Sequence, residues 1–234
     1  MKKYVPHFFT CLNLICGCLA ILLISKDNYY ATVIFCLFAF LFDFIDGFLA
    51  RLLNTESGIG RQLDSFSDFV TSGVVPGFVM YKLLIKSGLS EKLIISNLLN
   101  LNFYFSPISL LGFLITIATA FRLSKFNLTK NEHNYFQGLP APANCCMIIG
   151  LPFMFDFLGE KYLNHNLLFT ITIFSIYILN SKIKLILLKN INILIVLLLF
   201  CLIASLVVLT NFAILTVFIF MYMVVSLTYF QFRN

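Results

Sequence analysis

The chain has 234 residues, 60% hydrophobic and 11% charged, with a mean hydropathy of +0.96. Soluble domains carry roughly 25% charged residues, so these figures exclude one and leave a membrane protein. The net charge of +6 comes without any Lys/Arg run long enough to track a nucleic-acid backbone; it suits anionic lipid headgroups, and no nucleic-acid partner is expected.

Eight apolar segments follow in order, at 5–24, 29–53, 66–85, 105–124, 142–158, 166–181, 190–209 and 211–230. Most approach the ~20 residues that a spanning helix needs; the fifth and sixth are shorter. The expected fold class is an all-α polytopic membrane protein with about eight transmembrane helices. The first segment, "MKKYVPHFFTCLNLICGCLAILLIS", begins like a signal peptide, but its apolar run is nearly membrane-length and further spans follow. A retained first span is expected, not a cleaved leader. The seven cysteines (Cys11, Cys16, Cys18, Cys36, Cys145, Cys146 and Cys201) sit in apolar stretches at spacings that match neither a zinc knuckle nor a redox pair, and are expected to be small buried hydrophobes.

Charge orients the chain. With the N-terminus inside, eleven of the sixteen Lys+Arg face the cytoplasm, leaving Lys26, Lys82, Lys86, Lys92 and Lys161 outside. Both termini and the stretch from 43 to 69, "DFIDGFLARLLNTESGIGRQLDSFSDF", then lie at the cytoplasmic side. That stretch holds Asp43, Asp46, Asp64 and Asp68, four of only ten acidic residues. Asp43 and Asp46 are three apart and share a helix face, with Gly47 and Ala50 on the same stripe; Gly60, Asp64 and Asp68 repeat the design at steps of four. Two helices joined by a short turn would face two pairs of carboxylates into one oxygen cage. A charge at membrane depth costs at least ~2.5–3.5 kcal/mol, and the only bases nearby in sequence, Arg51 and Arg61, are too few to offset four acids. Oxygen donors without His or Cys favour Mg2+ or Mn2+ over zinc, and two such ions suit displacement at phosphorus.

Residues 43–68 read D-x2-D-G-x2-A-R-x8-G-x3-D-x3-D. In this the chain resembles the CDP-alcohol phosphatidyltransferase family, with every fixed position of the signature present. The resemblance implies an integral membrane transferase that displaces CMP from a CDP-linked lipid with an alcohol, using divalent metal. It implies Asp43, Asp46 and Asp64 as metal ligands, and Asp68 as general base with a share in the second metal. Gly47, Ala50, Arg51 and Gly60 would hold the CDP part, Ser57 adding a further nucleotide contact. A family of this kind implies six catalytic helices, here residues 1–185, with two additional helices in 186–234, and a homodimer.

The acceptor is read from other stretches. "YVPHFFTCLNLICGCLAI", "AFRLSKFN" and "FQGLPAPA" resemble the branch that accepts L-serine, in which a first-span P-N-x-x-T-x-x-N is typical; His7 departs from it, standing after Pro6 where Asn is usual. His7 and Thr10 are the first-span candidates for the CDP-lipid. Arg122 and Lys125, one turn apart, are candidates to receive a serine carboxylate; the alternative is a pair that anchors a helix end, favoured for Lys125. The expected reaction joins CDP-diacylglycerol and L-serine to give a phosphatidyl lipid and CMP at a bacterial inner membrane. Glycerol 3-phosphate is the rival acceptor, and a divalent-cation transporter the rival of another class.

Overall fold

A computed structural model describes residues 4–88, 93–95, 103–105, 107–128, 135–159, 162–186 and 211–232. The chain is an all-α, multi-pass membrane protein. Five helical stretches are long and apolar enough to cross a membrane: Tyr4–Ser25, Tyr29–Leu52, Gly58–Lys86, Ile108–Leu128 and Ala141–Leu158. His165–Asn180 and Ala213–Thr228 are shorter apolar helices. The span expected at 190–209 lies outside the described residues.

Helices α1 (Tyr4–Ser25) and α2 (Tyr29–Leu52) form an antiparallel hairpin. Its tight turn places Asp27 at φ 57, a left-handed conformation that Asp tolerates better than most residues, and Asn28 Oδ1 caps α2 by accepting from Ala31 N at 3.1 Å. Helix α3 (Gly58–Phe69) starts where Ser57 Oγ accepts from Gly60 N at 3.0 Å. The third span therefore begins eight residues earlier than the expected 66, because a side-chain cap lets polar residues enter the helix ahead of its apolar part.

That span is not uniform. A π-helical turn, Val70–Val74, joins α3 to α4 (Val75–Lys86). Pro76 has no N–H to offer the carbonyl four residues back, so the regular ladder cannot run through this point. Neighbouring helices supply donors to the loosened turn: Thr116 Oγ1 donates to Gly73 O at 2.9 Å and the Cys145 thiol to Thr71 O at 3.3 Å.

A 3-10 stretch, Ile108–Phe113, leads into α5 (Leu114–Leu128). The expected single fifth span is bent into α6 (Ala141–Ile149) and α7 (Leu151–Leu158), because Pro152 withholds an N–H from the Ile148 carbonyl. Helices α8 (His165–Asn180) and α9 (Ala213–Phe232) complete the described bundle. Helix α9 seats on the bend, where Thr216 Oγ1 donates to Met147 O at 2.8 Å.

Among the described residues the strands are two three-residue antiparallel pairings, β1 (Leu93–Ile95) with β2 (Phe103–Phe105) and β3 (Tyr135–Gln137) with β4 (Lys184–Ile186). After β3, Gly138 adopts φ 70, and a Cβ there would lie 2.8 Å from Leu179 O, so only glycine fits this turn. The end of α8 is satisfied here: Leu139 N donates to Ile178 O at 3.0 Å and Arg122 Nη1 to Leu179 O at 2.8 Å.

The core is apolar, with Ile24, Met80, Leu84, Ile115, Met147 and Phe153 buried. Cys16, Cys36 and Cys145 are buried as expected, whereas Cys11 and Cys18 lie on the exposed face of α1 among Phe8, Ile15 and Leu22. In a membrane that face meets lipid, so an apolar residue there needs no protein cover.

Candidate active site

One cavity of about 1010 Å³ opens between the beginning of α1, the end of α2, α3, the end of α5 and the start of α6. The helical period explains the α2 and α3 contributions. Asp43, Asp46, Gly47 and Ala50 fall on one stripe of α2, and Gly60, Asp64 and Asp68 on one stripe of α3. His7 and Thr10 line it from α1, Arg51 and Ser57 from the α2–α3 connection, and Arg122 from α5. Lys125 is exposed and is not among the lining residues.

The carboxylates are arranged as three plus one rather than as two facing pairs. One oxygen from each of Asp43, Asp64 and Asp68 lies within 4.8 Å of the other two. Asp46 stands outside that group and is only 5% exposed, against α1 beside Thr10. The Thr10 hydroxyl donates to Pro6 O at 3.1 Å. Among the described residues no Lys or Arg nitrogen comes within 4.0 Å of any of the four. Arg51 Nε is directed to Gly47 O, 3.0 Å away.

Among the described residues, Asp46 Oδ2, Asp64 Oδ1 and Asp68 Oδ1 are buried and meet no hydrogen-bond partner. Buried anionic oxygens without donors or counter-charge are costly. The all-oxygen donor set and this missing compensation fit divalent cations held among these four carboxylates.

The two glycines of the stripes differ in kind. At Gly47 an added Cβ would meet nothing within 4 Å, so protein packing does not require glycine there. At Gly60 it would meet His7 Cε1 at 2.8 Å and Ser57 Oγ at 3.1 Å, so glycine lets α1 close against α3. The approach of His7 is thus built into the site even though the residue departs from the usual Asn. Arg122 lines the cavity while its Nη1 also donates to Gln137 O at 3.2 Å and Leu179 O at 2.8 Å, which fixes the guanidinium by backbone atoms of the β3 strand and of α8.

Several polar residues are in place that the aspartate pattern does not reveal. Asn13 is fully buried on α1, and its Nδ2 donates to Ser67 Oγ at 3.2 Å; Ser67 Oγ in turn donates to Asp64 O at 3.0 Å. Asn13 also lies within hydrogen-bonding reach of Asp68. The available signal is its spacing: Thr10 and Asn13 are three apart, both polar and both buried in a largely apolar helix. Asn127 Nδ2 donates to Ser65 Oγ at 2.8 Å and ties the end of α5 to α3. Thr55 Oγ1 faces the cavity region, buried and without a partner among the described residues.

The model of the CDP-alcohol phosphatidyltransferase family matches residues 3–178. The chain is 36% identical over 150 residues to the CDP-diacylglycerol–serine O-phosphatidyltransferase of Bacillus subtilis, covering 63% of this chain and 75% of that protein. It is 32% identical over 147 residues to the protein of the same name from Methanocaldococcus jannaschii, covering 62% of this chain and 59% of the relative. It is also 32% identical over 140 residues to the archaetidylserine synthase of Methanothermobacter thermautotrophicus, 59% of this chain and 53% of that one.

Proposed function

Because the chain belongs to the CDP-alcohol phosphatidyltransferase family, we propose that it transfers the phosphatidyl group of CDP-diacylglycerol to the hydroxyl of L-serine, releasing CMP. The names of the relatives supply the acceptor. The observation that carries the chemistry is the convergence of Asp43, Asp64 and Asp68 in one cavity, where Asp64 Oδ1 and Asp68 Oδ1 are buried without a hydrogen-bond partner among the described residues.

Asp43, Asp46 and Asp64 are assigned as metal ligands, Asp68 sharing in a second ion. When bound, one or two divalent ions, Mg2+ or Mn2+, would polarise the phosphate oxygens and offset the charge that develops on departing CMP. The remaining work falls to the protein. Gly47 leaves room for a phosphate to approach the α2 backbone, and Ala50 keeps the next turn low. Arg51 offers a planar fork of donors suited to a pyrophosphate. His7, Thr10, Ser57 and Gly60 form the wall against which the cytidine part rests.

A serine hydroxyl is a weak nucleophile until a base accepts its proton. Asp68 takes that role: as the serine Oγ–phosphorus bond forms and the bond to the CMP oxygen breaks, the hydroxyl proton passes to its carboxylate. Arg122 receives the serine carboxylate; Lys125, exposed and off the cavity wall, is the anchoring residue of the pair. Holding donor and acceptor in line supplies most of the rate, since little covalent help is required.

The charge bias supports a cytoplasmic aspartate end, and a bacterial inner or cell membrane is proposed as the location. Residues 1–185 are proposed as the transferase unit, 186–234 as its C-terminal addition, and a homodimer as the working assembly.

The test is transfer by purified protein in detergent, with CDP-diacylglycerol, Mg2+ or Mn2+, and labelled L-serine or labelled glycerol 3-phosphate in parallel. Lipid label from serine alone, abolished by chelator, is the expected result. Label from glycerol 3-phosphate would overturn the acceptor assignment and keep the aspartate chemistry. Absence of CMP release from folded protein would overturn both.

A further inference from the structure

Five basic residues run against the charge bias, and three of them converge. Lys26, Lys82 and Lys86 line a second cavity of about 760 Å³, at the end of the bundle opposite the aspartates. It lies between the α1–α2 turn, the last turns of α4, and α7. Asp27 and Asp156 share it, which leaves an excess of one positive charge.

The three lysines are not equally engaged. Lys82 Nζ sits 3.0 Å from Asp27 Oδ1, donates to Ser25 O at 3.2 Å, and is largely covered. Lys86 Nζ is 4.0 Å from Asp156 Oδ1, and both side chains are about half exposed or more. Lys26 is exposed, and its ammonium makes no ion pair or hydrogen bond among the described residues. Lys82 and Asp27 therefore form the fixed frame, Lys86 is paired with Asp156 across a longer gap, and Lys26 carries the excess charge.

Depth and surroundings identify the environment. Helix α1 has 22 residues, about 33 Å at ~1.5 Å per residue, close to the ~30 Å hydrocarbon thickness of a bilayer. The turn that follows it, with Tyr29 and Tyr30 beside Lys26, stands at headgroup level, where aromatic residues gather. The cavity wall is apolar, made by Leu83, Ile85, Phe153 and Leu163.

We propose that this cavity holds the phosphodiester headgroup of an anionic phospholipid from the leaflet opposite the reaction site, with Lys26 and Lys86 on its phosphate and its acyl chains along the apolar wall. The ligand is a lipid rather than free phosphate, since the basic groups stand directly over apolar surface at the membrane boundary. The site needs no part of the catalytic assignment.

The test is native mass spectrometry of the full-length protein in detergent. It is titrated with dioleoylphosphatidylglycerol, dioleoylphosphatidylcholine or inorganic phosphate. The expected result is a one-to-one phosphatidylglycerol adduct, preferred over phosphatidylcholine and weakened on the order of tenfold in the Lys26→Gln/Lys86→Gln double variant. Lys182→Gln, an exposed lysine outside this cavity, should leave the adduct unchanged. Equal binding of the two lipids, or an adduct unaffected by the double variant, overturns the proposal. Retention of inorganic phosphate with no lipid adduct overturns the lipid as its source.

Discussion

Gly47→Ala separates folding from function at the centre of the candidate site. The position lies inside α2, where alanine is favoured over glycine by about 0.8–1 kcal/mol of helix propensity. The added Cβ meets no protein atom within 4 Å, so no packing penalty offsets this gain. For a chain of this size the gain corresponds to a rise in Tm of about 2–4 °C. The same methyl projects about 1.5 Å into the cavity beside the aspartates. A donor phosphate seated against the α2 backbone would be displaced by a similar distance, and misplacement of ~1 Å costs on the order of 100-fold in rate. Thermal unfolding and steady-state transfer, measured on one preparation, should therefore move in opposite directions: Tm up and kcat/KM for CDP-diacylglycerol down about 100-fold. Unchanged turnover would show that the phosphate does not approach Gly47. A fall in Tm would show that the open space beside it is filled by protein.

Asp68→Asn should abolish turnover while CDP-lipid binding persists, whereas Asp43→Asn or Asp46→Asn should also lose metal-dependent binding; an active Asp68→Asn would remove the base assignment. Asn13→Leu, close in volume, removes the donor to Ser67 and the neighbour of Asp68. At about 1–3 kcal/mol for a buried hydrogen-bonding group left unmatched, kcat should fall roughly 10- to 100-fold with KM for CDP-lipid little changed, as steady-state kinetics would report. Gly112→Ala would set a Cβ 2.6 Å from Tyr81 N and 3.0 Å from Met80 C, backbone atoms that cannot rotate away. Overpacking of about 1–3 kcal/mol should lower Tm and leave the cavity chemistry intact in the surviving folded protein; a Tm equal to the parent's would contradict that contact.

The sequence alone determined the membrane class, the helical architecture and the candidate residues, for local reasons. Apolar runs of ~20 residues can satisfy their backbone in lipid only as helices, and spacings of three and four put Asp43 with Asp46 and Asp64 with Asp68 on shared faces whatever surrounds them. The side-chain caps at Asn28 and Ser57 are equally local. Tertiary structure alone decided how the acids divide. Three converge while Asp46 lies against α1, because the residue opposite each carboxylate depends on how helices pack across the bundle, which spacing along one chain does not encode. It also decided that Asn13, 54 residues away from Ser67, braces the α3 stripe. The irregular turns beside Pro76 and Pro152 draw donors from other helices, Thr116, Cys145 and Thr216. The proline announces that a carbonyl will be left over; only the packed bundle shows which side chain comes to meet the loosened turn.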